Sequence, residues 1–80
     1  MEGGNVTVIV LGLTTRSLFD RAAKKGEIVG DLKGGGSFKA QVSFGSGSQI
    51  RYRTEEGEEF VHCGSQQGPN NLLISLKKIT

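Results

Sequence analysis

Residues 37–44 read Ser37-Phe38-Lys39-Ala40-Gln41-Val42-Ser43-Phe44, with Phe38, Ala40, Val42 and Phe44 apolar and a polar residue before each. Successive side chains of a strand point to opposite faces, so strict alternation marks a strand with one face on a core and the other in water. One-sided burial of this kind belongs to antiparallel sheets; parallel strands, covered on both faces, are apolar at both phases.

The same period extends to either side. Upstream, Ile28, Gly30 and Leu32 alternate with Glu27, Val29, Asp31 and Lys33, and Gly34-Gly35-Gly36 is a loop of hairpin length between the two runs. Downstream, Gly45-Ser46-Gly47 turns the chain and residues 49–54 alternate Ile50 and Tyr52 with Arg51 and Arg53. An acidic turn around Gly57 leads to residues 59–64, whose phase is open: Phe60 and His62 share one side, Val61 and Cys63 the other. A polar loop over residues 65–71, containing Pro69, separates this meander from a last strand over residues 72–79.

The first strand, residues 5–13, has a different character. Val6, Val8 and Val10 occupy one phase and Thr7, Ile9 and Leu11 the other. Apolar or β-branched residues at both phases predict a central strand covered on both faces. Residues 72–79 resemble it, with Leu72, Ile74 and Leu76 on one phase and Leu73 and Ile79 on the other, so the two are expected to pair.

Between the first strand and the meander, Thr14 and Thr15 offer capping hydroxyls and residues 16–25 contain no glycine or proline. At 100° per residue Leu18, Phe19, Ala22 and Ala23 fall on one arc, and Arg16, Ser17, Asp20, Arg21, Lys24 and Lys25 on the other. Lys24 and Lys25 favourably meet the helix dipole, and Gly26 is expected in the left-handed position that ends the helix. The order strand, helix, five strands predicts an α+β fold. It is a single small domain over residues 1–80, mainly an antiparallel sheet of about six short strands with one amphipathic helix packed on it. A small closed barrel is the alternative, since short glycine-rich strands curl.

Eighty residues suit one domain, which buries only about 60% of the surface its unfolded chain exposes. The 13 glycines exceed the usual fraction of about 7% and lie mostly between apolar runs, as many short turns require. Cys63 has no internal partner for a disulfide, and the first residues lack the pattern of a signal peptide. Both features predict a reducing, cytoplasmic location with no membrane contact. The Asn5-Val6-Thr7 sequon is then a chance match.

Chemistry-bearing motifs are scarce. One His and one Cys fall short of a zinc site, and adjacent His62 and Cys63 point to opposite faces of a strand, which opposes a nucleophile–base pair. The glycine loops run into strands rather than helices, so they are not phosphate loops. No catalytic residue, cofactor or metal is therefore expected.

Charge is more informative. The net charge is +2, with Arg16, Arg21, Lys24 and Lys25 crowded in the helix and Glu55, Glu56, Glu58 and Glu59 in the acidic turn, which predicts a bipolar surface. Lys39, Gln41, Arg51 and Arg53 share the solvent phase of the meander as a small basic stripe. If Phe60 and His62 point outward they would add stacking surfaces to it, as a single-stranded nucleic-acid platform requires; if Phe60 points inward the stripe has no ring.

Two functions compete on these residues. A protein-binding module, acting as an inhibitor or accessory factor, would use a sheet edge, the basic helix face with Arg16 and Arg21, or the acidic turn with Glu55 and Glu56. A nucleic-acid binder would use Lys39, Arg51, Arg53 and His62. A protein partner is the first expectation, nucleic acid the second. Self-association suits so thin a core.

Overall fold

The computed structural model describes residues 4–79. Its elements are β1 (Asn5–Leu11), α1 (Thr15–Ala23), β2 (Glu27–Leu32), β3 (Ser37–Phe44), β4 (Ile50–Thr54), β5 (Glu59–Gln67) and β6 (Asn71–Lys78), with a short 3-10 turn at Ser46–Ser48. Every neighbouring pair is antiparallel, and β1 pairs with β6 to close the sheet into a barrel in the order β1-β2-β3-β4-β5-β6. The α+β class holds, in its barrel form.

The β1–β6 seam is the longest in unbroken register, running from Asn5↔Lys77 to Leu11↔Asn71, as the shared character of the two strands predicts. The β1–β2 seam is the shortest, with only Val8↔Leu32 and Ile9↔Asp31 paired. Gly30 permits that approach: a Cβ there would lie 2.6 Å from the Ile9 carbonyl oxygen and 2.9 Å from methyls of Val8 and Val10. A glycine in a strand interior commonly marks such a close passage of backbone.

Closure changes one expectation. A closed ladder removes the free edges that would capture a partner strand. Ladder pairing is incomplete at two places: β1 and β2 pair at Val8 and Ile9 alone, and β4 pairs with β5 at Glu59, Phe60 and Val61, beyond which β5 runs on with β6 as a two-stranded ribbon. Gln67 ties that ribbon to the start of the helix, accepting from the Thr15 N–H at 3.1 Å and donating to the Leu13 carbonyl at 3.2 Å.

The core is the inner phase of the strands plus one helix face. Val8, Val10, Ile28, Phe38, Ala40, Val42, Ile50, Tyr52, Phe60, Leu72, Ile74 and Leu76 fill the barrel, and Leu13, Leu18 and Ala22 join them where the helix closes the end reached by β1. The helix is capped by Thr14, whose Oγ1 accepts from the Ser17 N–H at 3.1 Å. It presents a narrower apolar face than its sequence suggests. Leu18 and Ala22 are buried, whereas Ala23 is exposed and Phe19 is half-exposed. Phe19 packs edge-on against Phe44, which lies past the barrel rim rather than in the core.

The helix end also departs from expectation. Gly26 donates to the Arg21 carbonyl at 2.8 Å and Lys25 to the Ala22 carbonyl at 3.2 Å, the paired bonds of a Schellman motif. The left-handed residue is Lys25, at φ 57°, one position before the glycine.

In β5 the register shifts between His62 and Gly64, leaving Cys63 as the extra residue of a β-bulge. Phe60 and His62 precede the shift, and Ser65↔Ile74 and Gln67↔Leu72 follow it. This phase change explains why residues 59–64 show no single alternation. It also carries the strand to Gln67 through residues whose polarity reads as loop.

Candidate functional site

The basic stripe is present on the outer face of β3 and β4, where Gln41 pairs with Arg53 and Ser43 with Arg51, and Lys39 lies next along β3. Its field is largely cancelled. Arg53 Nε lies 3.7 Å from Glu59 Oε2 and Lys39 Nζ 4.0 Å from Glu55 Oε2. Arg51 folds over Gly45, and its Nε–H is buried with no hydrogen-bond partner. The acidic turn therefore leans on the stripe.

Antiparallel alternation puts the helix cations and the four glutamates at opposite ends of the barrel. Reduced at the acidic end, where Glu56 has no ion pair among the described residues, the bipolar expectation holds at the helix. Arg16 and Arg21 are exposed there with Lys24 and Lys25, and Arg21 donates to the Glu27 carbonyl at 3.0 Å. At the other end Lys39, Arg53 and Lys78 offset Glu55, Glu59 and Glu58.

The rings do not join the stripe. Phe60 points inward at 5% exposure and packs edge-on against Phe38 with centroids 5.5 Å apart. His62 points inward as well, its Nδ1 2.8 Å from the hydroxyl of fully buried Tyr52. Burial pushes the Tyr52 phenol far above its usual range, so it stays protonated beside Nδ1. Desolvation lowers the His62 pKa, which favours the neutral imidazole. Cys63 is exposed, and no disulfide holds it. Among the described residues no three His, Cys, Asp or Glu side chains come together as a metal site, and no helix is long and apolar enough to cross a membrane.

A different surface stands out. On the outer face of β1, Ile9 sits beside Leu73 of β6, and Leu11 lies one step further toward the helix end. Val29 lies in the outward phase of β2, two residues before Asp31, which is opposite Ile9, and Lys39 is opposite Val29. Leu11 is 74% exposed and Val29 59%, while Ile9 and Leu73 are partly covered. Ile and Val suit any pleated surface, but Leu has no such strand preference, so Leu11 and Leu73 are the informative members. Among the described residues the expected cover on this face of β1 is absent, since the helix packs at the barrel end. The signal was the apolar run at both phases of residues 6–11.

Among the described residues no element covers the end of the barrel away from the helix. Its mouth is a cavity of about 500 Å³ with Val6, Leu32, Phe38 and Phe60 inside and Lys39, Glu55, Glu56, Glu58 and Lys78 around it. Thus Lys39, Glu55 and Glu56 are brought together, and Arg16 and Arg21 lie at the other end. No protein-family model, curated protein or solved structure matches this chain, so its function rests on its own surfaces.

Proposed function

We propose that the chain is a non-enzymatic protein-binding module, acting as an inhibitor or accessory factor, that meets its partner through the outer face of β6, β1 and β2. The observation that carries this reading is Leu11, 74% exposed on the same outer face as the cross-strand pair Ile9 and Leu73. Covering such a face removes apolar area from water at about 25 cal/mol per Å², and its rim of Asp31 and Lys39 supplies both signs of charge for orientation.

Nucleic-acid binding has less support. Phosphate neutralisation needs available cations, and Lys39 and Arg53 already face carboxylates. Stacking needs exposed rings, and Phe60 lies in the core.

The test compares wild type with Leu11→Lys and Arg53→Ala in partner capture from the host extract, with light scattering to detect a second copy as the partner. Leu11→Lys abolishes the complex and leaves the thermal melt unchanged, because Leu11 contributes little to the core; Arg53→Ala leaves binding intact. Capture that survives Leu11→Lys but fails with Arg53→Ala overturns the reading and moves the site to the stripe.

A further inference from the structure

The two ends of the barrel are built differently. Leu13, Leu18 and Ala22 plug one end. At the other, the inner phase finishes on Val6, Leu32 and the edge-on pair Phe38–Phe60, with no described element above them. The result is the cavity of about 500 Å³, within the range of about 300–1,000 Å³ typical of small-molecule sites.

Its rim fixes the charge of what fits. Lys78 Nζ donates to Glu58 Oε2 at 2.9 Å, and Lys39 lies 4.0 Å from Glu55. Glu56, also on the rim, has no ion pair among the described residues. Three carboxylates thus face two ammonium groups, both of them engaged. Below the surplus negative charge lies an apolar chamber lined by Val6, Leu32, Phe38 and Phe60.

We infer that this mouth binds a small organic cation, an amine carried on an apolar or aromatic body. The body covers Val6 and Leu32 and rests above Phe38 and Phe60; the ammonium group meets Glu56. The site lies at the opposite end of β1 from Leu11 and stands independently of the protein-binding reading.

Tryptamine and its charge-reversed counterpart indole-3-propionate are suitable probes, because the chain contains no Trp and indole emission then reports the probe alone. On titration tryptamine emission shifts to shorter wavelength, and the amine binds at least about 10-fold more tightly than the acid. Ring proton shifts of Phe38 and Phe60 locate it. Glu56→Lys, at an exposed position, keeps the melt and exchanges the preference, while Val6→Phe narrows the mouth and weakens both probes. Equal binding of the two probes, an unchanged preference in Glu56→Lys, shifts confined to other residues, or no binding of tryptamine at millimolar concentration each overturns the assignment.

Discussion

Acidification should loosen this barrel through one residue, His62. Its Nδ1 is 2.8 Å from the Tyr52 hydroxyl, and Tyr52 is fully buried. Desolvation holds the imidazole below its ordinary pKa near 6.5 in the folded state, whereas the unfolded chain restores the ordinary value. Between the two values the unfolded state binds more protons, so stability falls as pH falls from about 6.5 toward the lowered folded value and levels off below it. The slope cannot exceed about 1.4 kcal/mol per pH unit, because a single proton is involved. Protonation also makes both ring nitrogens donors and sets a positive charge beside the buried phenol. Urea unfolding between pH 5.5 and 7.5 measures the effect in a window above the range of ordinary carboxylates. His62→Gln keeps a hydrogen-bonding group and removes the slope. His62→Ala costs about 1–3 kcal/mol at pH 7.5, because it strands a buried hydroxyl, and Tyr52→Phe costs about 1 kcal/mol. A wild-type slope that persists in His62→Gln, or no slope in wild type, refutes the reasoning.

Two further predictions concern the backbone. Gly30→Ala places a Cβ 2.6 Å from the Ile9 carbonyl oxygen, a main-chain atom that yields only if the β1–β2 seam opens, so it costs about 2–3 kcal/mol and lowers Tm by roughly 10 °C or more in a thermal melt. Lys25→Gly relieves a left-handed φ of 57° at the helix end and raises Tm by about 4–8 °C, for a gain of roughly 1 kcal/mol, while leaving every core contact in place.

The alternation of residues 37–44 and 50–54 specified the meander, and the kinship of the first and last strands specified their pairing. Closure was less legible. It depends on Gly30 lying against the backbone of Ile9, and a glycine in sequence looks the same whether it marks a bulge, a turn or a close passage. The bulge at Cys63 was hidden for a related reason, since one extra residue inverts the phase of everything after it and merges two alternations into none. Charge fared worst. Lys39 and Glu55 are 16 residues apart and Lys78 and Glu58 are 20 apart, so only the fold reveals that the acidic turn neutralises its surroundings.

What separates the candidate surfaces is whether the fold itself accounts for their residues. Lys39 and Arg53 have carboxylate neighbours, and His62 has Tyr52, so the barrel already uses them. Leu11 has no such account. The inner phase of β1 supplies Val8 and Val10 to the core, and that burial stabilises the strand whatever stands at the outer phase. A polar residue at position 11 would serve the isolated barrel equally well and leave less apolar surface in water. Local rules that fail without a gain in the fold are the places where function is expected. On that criterion Leu11, with Leu73 beside Ile9, supports the proposed partner-binding face over the basic stripe.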